Sequence, residues 1–450
     1  MVFSIIKKSQ LEGANRLDAE YYQPEYLEKI KKLQSSTVRL GDIAYITDGE
    51  HGSPIFDEKS GIKYFSAQHV RDGFIDDTNV NTISKIIDER NKRSQLKEGD
   101  VLLSTVGTIG FAGLVTKEFL PANIDRHVAR IVLKEKTLEP EFLVAFLNSR
   151  YGKFQSVRES TGNVQFNLFI DKIKDLKVPK SNNPYIARLL KDALKELDNT
   201  ENFYSQAENL LLEELGLKDF EVEDDLSFVV NLSEVKSAHR ADAEYFQPKY
   251  EKLIEKIKNK NAKLLGELVS IKKGIEPGSE EYQEEGKLFF RVSSLSKFGF
   301  EDKDQKYLTE DLYQKLKDDF EPKVGEILLT KDATPGIAYA LKEPIEGITA
   351  GGILRLKLKA KIEQEYLALA INSIVGQIQV ERDTGGSVIV HWRPDQVRDC
   401  LIPVLSKSTQ QKIANLVKKS HQARKKLKEL LEKAKRKVEE IIEKGGEKTA

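Results

Sequence analysis

This chain of 450 residues has one cysteine, Cys400, one methionine, one tryptophan and no net charge, its 72 basic residues balanced by 72 acidic ones. A lone cysteine excludes an internal disulfide framework and a cysteine-rich zinc site. There is no long uninterrupted apolar run and no apolar leader after Met1, so a soluble, cytoplasmic protein is the expectation. Electroneutrality argues against nucleic acid being gripped by the whole surface, but allows a basic patch balanced by acid elsewhere. A charged fraction of 32% with so little Met and Cys hints at a thermophilic source.

Catalytic signatures are missing as well. No Walker loop, no G-x-G-x-x-G after a strand and no H-E-x-x-H occurs, so neither a catalytic set, a metal site nor a cofactor is expected. Asn182-Asn183-Pro184-Tyr185 echoes the NPPY motif of adenine methyltransferases but lacks its second proline and reads as a helix N-cap.

What is there is said twice. Arg16, Asp18, Ala19, Glu20, Tyr21, Gln23, Pro24 and Tyr26 return 224 positions later as Arg240, Asp242, Ala243, Glu244, Tyr245, Gln247, Pro248 and Tyr250. Glu141, Asn148, Ser149, Gly152 and Gln155 return as Glu365, Asn372, Ser373, Gly376 and Gln379, and Asp175 and Pro179 as Asp399 and Pro403. So long a period is a duplicated domain rather than a solenoid unit. Between the anchors the offset drifts to 225 at Leu40-Gly41 against Leu265-Gly266 and to 226 at Gly99–Leu103 against Gly325–Leu329. Framework residues are kept while loops change length and chemistry, the pattern of two recognition tasks on one scaffold.

Each half opens with a proline-launched helix, Glu25–Leu33 and Lys249–Ile257. Short strands are expected at Gly41–Ile46, Tyr64–Ala67, Val101–Ser104 and Ala129–Leu133, and at Leu288–Val292, Ile327–Thr330 and Ile353–Leu358. Pro140–Arg150 and Gln364–Ser373 read as helices, and the mixture implies an α+β unit. After Pro179 and Pro403 the pattern becomes heptad-like. Ile186, Leu189, Leu190, Ala193, Leu197, Tyr204, Ala207, Leu211 and Leu215 form one stripe; Ile413, Leu416, Val417, Leu427, Leu430, Leu431, Val438 and Ile441 form the other. At 1.5 Å per residue, thirty residues make a rod of about 45 Å. The expected architecture is therefore two duplicated globular domains, 1–180 and 218–405, related by a pseudo-twofold. Two long antiparallel coiled-coil helices, 181–217 and 406–445, would separate them. A competing account has each helix merely covering its own domain's core. The second helix is rich in Lys and Arg, which suits a solvated flank as well as phosphate contact.

The duplicated RLDAEYYQP and RADAEYFQP entries, the GDVLLSTVGTIG and GEILLTKDATPG cores, and the two placed helices together resemble the specificity (S) subunit of type I restriction–modification enzymes. The resemblance covers nearly the whole chain. It implies a non-catalytic subunit whose globular halves are target recognition domains, each reading one part of an asymmetric bipartite site on double-stranded DNA. It implies that the helices act as a ruler and dock two methylation subunits, with restriction subunits joining the complex. S-adenosylmethionine would then be bound by the methylation partner rather than by this chain, and no membrane is involved.

The candidate contacts are polar, loop-borne side chains. Gly49, Glu50, His51 and Ser53 lie in a loop similar to the family's DGxHxxP. Gln68, His69 and Arg71 follow a strand, then Thr105, Thr108 and Arg126, and the amide-rich Asn163, Gln165 and Asn167. Arg offers a bidentate fork to guanine and Gln or Asn one to adenine. The second copy supplies Lys272, Lys273, Arg291, Ser293, Lys331, Thr334, Ser387, His391, Trp392 and Arg393, but replaces the DGxHxxP loop with Lys272-Lys273-Gly274-Ile275-Glu276-Pro277. Each has a plainer explanation: glycine and proline mark ordinary turns, a lone histidine is often a structural hydrogen-bonder, and a lone tryptophan is often core. Two rival functions stay open, a self-contained DNA methyltransferase or endonuclease with a cryptic site and a coiled-coil adaptor that binds no DNA.

Overall fold

A computed structural model describes residues 3–9, 11, 16–33, 37–134, 138–162, 166–180, 182–220, 224–301, 305–384 and 390–447. They form two compact units, Met1–Leu197 with Lys425–Ala450, and Asp198–Arg424.

The first unit is built on an antiparallel four-stranded sheet in the order Ala44–Asp48, Val128–Leu133, Val101–Ser104, Ala112–Leu114. A three-stranded sheet joins Asn81–Thr82, Lys63–Phe65 and Ala122–Ile124, the last two strands parallel. Thr37–Arg39 pairs with Lys177–Pro179 to tie the unit's two ends. The second unit repeats this plan. Its larger sheet runs Val269–Lys273, Ile353–Leu358, Glu326–Thr330, Ala338–Ala340, and its smaller one Lys306–Leu308, Lys287–Phe290, Gly347–Thr349. The expected α+β class is the observed one. The segment expected as a strand from Gly41 is first a helical turn, Leu40–Ile43, before the strand Ala44–Asp48 begins.

The repeated residues hold each unit closed. Asn148 grips both polar groups of the Ala112 backbone, accepting from its N–H at 3.1 Å and donating to its carbonyl at 2.8 Å; Asn372 does the same at Ala338. Gln155 clamps Lys177 and Gln379 clamps Leu401, N–H and carbonyl alike. A side-chain amide matches a backbone peptide's donor and acceptor at once, which satisfies groups that burial would otherwise leave costly. Arg16 forks onto Asp18 and donates to the Ser160 carbonyl, while Arg240 forks onto Asp242 and donates to the Asp383 carbonyl.

The long helices are Pro184–Leu215 and Lys407–Glu447. The first is capped as expected, Asn183 Oδ1 accepting from the N–H groups of Tyr185 and Ile186. In the first unit Lys433 sits over the Tyr185 ring and Lys426 pairs with Glu196; in the second Ser420 donates to the Thr200 carbonyl and Lys419 sits over Phe203. Contact positions fall along one helix as they rise along the other, so the pair is antiparallel. Its stripes also enter the cores. Ile186 to Leu197 and Leu427 to Ile442 join the first unit's core, and Tyr204 to Leu215 with Ile413 and Val417 join the second's. Mutual packing and domain covering are therefore both met by one apolar face. The stripe ends one residue later than expected: Ile442 is buried and Ile441 is 44% exposed. Among the described residues no helix is long and apolar enough to cross a membrane.

Candidate nucleic-acid interface

Sheet register decides which loops meet. Asp48 stands opposite Ala129 and Ser104 opposite Val128, so the loops after Asp48 and Ser104 and the one before Val128 emerge at one edge. The three-stranded sheet delivers Phe65 there, its carbonyl accepting from the Asp125 N–H. Asn167 arrives through a bridge to Val106. In the second unit the same edge gathers Lys273, Thr330 and Ile353, the Phe290 carbonyl bonded to the Ala350 N–H, and His391 bridged to Asp332.

Glu50 organises the first unit's loop. It is buried, and its carboxylate accepts from Arg90 at 2.8 Å, the Gly52 N–H at 2.6 Å and the Asn91 amide. These donors, Arg90 first, hold its pKa down to about 2. Asp48 ties His51 at 2.8 Å and Arg93 at 3.1 Å. Glu50 thus faces inward as a support, while His51, Ser53, Arg90, Arg93 and Arg126 are exposed around it. Arg126 leans on His127, whose ring is held by Asp125. Arg90 and Arg93 were not among the sequence candidates. They lie in the charged segment 85–93, which reads as a solvated helix until Glu50 and Asp48 are seen to draw it into the loop edge.

The remaining first-unit candidates divide by burial. Gln68 and Thr108 are exposed and Asn167 half-buried, with its backbone paired to Thr161. Thr105 is buried and Gly49 packs on the Ile124 and Asp125 backbone, so both shape the loop edge rather than face solvent. His69 departs from expectation: it is buried edge-on to Phe65, its Nδ1 accepts from the Ser66 N–H, and burial lowers its basicity. Arg71 directs its guanidinium to Asp76 in a tight turn whose Gly73 packs on Leu431. Asn163 and Gln165 lie outside the described residues.

In the second unit Lys272, Lys273, Ser293 and Thr334 are exposed, and Arg291 is half-buried. Lys331 pairs with Asp332, whose other oxygen meets His391 Nδ1 at 2.7 Å. Burial alone would raise the Asp332 pKa, but the His391 and Lys331 contacts outweigh it and hold it below the usual carboxylate range. Arg393 is exposed and pairs with Asp395. Trp392 is corrected by the structure. It is fully buried in the core and its Nε1 donates to Asp383 at 2.9 Å, so it anchors the exposed His391 and Arg393 on either side of it. Ser387 lies outside the described residues. Where the first unit has Glu50, the second has Ile275, which makes the equivalent bridge to Ala350 but supplies no carboxylate. Among the described residues no three His, Cys, Asp or Glu side chains gather as a metal site, and Cys400 is buried.

The family model described as "Type I restriction modification DNA specificity domain" matches twice, at residues 33–209 and 257–436. The specificity subunit of the type I restriction enzyme EcoBI from Escherichia coli is 35% identical over 123 residues, 27% of this chain and 26% of that protein; the match thus spans about a quarter of that curated relative. Among solved structures, the S subunit of a type I restriction–modification system from M. genitalium aligns over 92% of this chain and 96% of its own, at 15% identity and a TM-score of 0.39. The HsdS subunit from Thermoanaerobacter tengcongensis aligns over 91% and 95%, at 14% identity and a TM-score of 0.27. With one match on each half and most of the length covered, the chain belongs to the family of type I restriction modification DNA specificity domains.

Proposed function

We propose that each loop edge is a DNA-reading face and that the chain is the non-catalytic recognition subunit of a cytoplasmic restriction–modification complex. Each unit reads one part of a bipartite, asymmetric site on double-stranded DNA. The supporting observation is that one framework is built twice while the edge it presents differs: Asp48, Glu50 and His51 in one copy, Lys273, Ile275 and Glu276 in the other. Phosphate contacts position such a face and base-edge contacts give it sequence preference. In the first unit the exposed Gln68 and Arg126 and the half-buried Asn167 suit base edges; in the second, Ser293, His391 and Arg393 do.

Methyl transfer and cleavage belong to partner chains on this reading. Two methylation subunits, carrying S-adenosylmethionine, dock on the long helices, and restriction subunits join through them. The test is to reconstitute the chain with a methylation subunit and sequence the modified DNA. Two short motifs around an unread spacer are expected; a single continuous motif would overturn the two-reader scheme.

A further inference from the structure

The buried pair Arg130–Asp100 fixes a position that can be compared between the copies. Arg130 donates one N–H to the Arg93 carbonyl, and its counterpart Arg355, paired with Glu326, donates the equivalent N–H to the Asp319 carbonyl. The Lys97 N–H meets Asp100 as the Lys323 N–H meets Glu326. The same place on the two frameworks therefore carries Lys92-Arg93 in the first unit and Asp318-Asp319 in the second, all four exposed. This is a reversal of charge, not a loss of it.

The surroundings reinforce the contrast. In the first unit Arg90 and Arg93 stand 57% and 53% exposed, aimed by Glu50 and Asp48, with Lys92 between them and Arg126 on the neighbouring loop. In the second, Asp318 and the exposed Lys272 both line an open groove of about 460 Å³, and Gly351 and Gly352 stand where the first unit has Arg126 and His127. Pairing with a carboxylate does not separate the faces, since Lys331 and Arg393 are paired as Arg90 and Arg93 are; the difference lies in Lys92-Arg93 against Asp318-Asp319.

We infer that the two faces divide the work unequally: Lys92 and Arg93, with Arg90, make the first unit the phosphate anchor, and Asp318-Asp319 keeps the second unit from gripping DNA of arbitrary sequence. The inference rests on the DNA-reading assignment and adds an order to it. The first unit supplies the salt-sensitive, sequence-independent hold, since each neutralised phosphate adds about 0.9 to the slope of log affinity on log salt. The acidic pair in the second unit repels phosphate unless base contacts compensate, which sharpens its discrimination.

The experiment is a salt titration of full-length protein binding to a random-sequence duplex, read by fluorescence anisotropy. Lys92→Ala with Arg93→Ala is expected to flatten the slope by about 1.8, so that a four-fold rise in salt costs about ten-fold less affinity than in the parent. Asp318→Lys with Asp319→Arg, which gives the second unit the first unit's pair, is expected to steepen it by a similar amount. If the parent binds no duplex at any salt concentration, the DNA-reading assignment itself falls. If the parent binds and either variant keeps the parent's slope, the division of labour is wrong while the assignment stands.

Discussion

Arg130 and Asp100 meet at 2.6 Å with side chains only 8% and 4% exposed, and Arg355 repeats the contact with Glu326 in the second unit. The pair joins the strand Val128–Leu133 to the residue just before its neighbour Val101–Ser104 and, through the Arg93 carbonyl, fixes the segment that carries the exposed arginines. A charge removed from water needs its partner more than the fold needs the pair. Arg130→Met, which strands Asp100, is expected to cost about 3–5 kcal/mol, whereas Arg130→Met with Asp100→Leu recovers part of that loss, the Lys97 N–H and the Arg93 carbonyl still lacking these partners. Because the chain has two units, denaturation should be followed by amide exchange in each. The loss belongs to the first, and Arg355→Met moves it to the second.

The Glu50 carboxyl has a definite pH signature. Its folded pKa is held down to about 2, chiefly by Arg90 and then by the Gly52 N–H and Asn91, against about 4.3 for an unfolded glutamate. A depressed folded value means the stabilisation is complete above about 4.3 and is lost as pH falls from there through 2. Glu50→Gln removes this term. Protection of the Gly52 amide in the variant should fall below the parent's at neutral pH, and the difference should close as pH drops toward 2. An equal gap at both ends would mean the carboxylate is not ionised in the folded loop.

The framework was legible in the sequence where an interaction is carried by residues that recur. Asn148 and Asn372, Gln155 and Gln379, and Arg16 and Arg240 stand out in the repeat, and each performs the same backbone clamp in both copies. The long helices were legible from their stripes. The loop edge was not, because its contacts join positions whose nearness depends on sheet register: Arg90 reaches Glu50 across 40 residues and Arg93 reaches Asp48 across 45. For Trp392 the sequence offered both a reader and a core residue, and the structure takes the core. His391-Trp392-Arg393 reads as one polar cluster with an aromatic, yet extended backbone turns alternate residues to opposite sides, burying the tryptophan and exposing the other two.

That alternation separates stability from binding at adjacent positions. Trp392→Ala should cost about 3–5 kcal/mol, as for other fully buried large aromatics. Trp392→Phe keeps most of the packing but strands Asp383, for about 1–3 kcal/mol. Arg393→Ala should change stability by no more than about 0.5 kcal/mol while weakening DNA binding. Thermal melts of the three variants beside anisotropy on one duplex make the comparison. A destabilised Arg393→Ala would place that side chain in the fold's support instead of on its reading face.

Gly49 and Gly274 carry the last distinction, between a glycine required by the framework and one that merely sits in a turn. A methyl group on Gly49 would lie 1.8 Å from the Ile124 carbonyl oxygen, and one on Gly274 2.2 Å from the Ala350 oxygen, backbone atoms in both cases. Neither can yield without breaking the parallel bridges that start both loops, Glu50 to Asp125 and Ile275 to Ala350. At Gly52 the nearest atom is instead the Glu50 carboxylate oxygen at 2.8 Å, the end of a side chain that can swing aside. Gly49→Ala and Gly274→Ala are therefore expected to lower the stability of their own units by about 1–3 kcal/mol, the scale of an overpacked core. Gly52→Ala should leave the melt nearly unchanged and shift only the Glu50 contacts. Unit-resolved amide exchange reads all three, and a Gly49→Ala protein with parental protection in its first unit would show that the loop, not the framework, makes the approach tight.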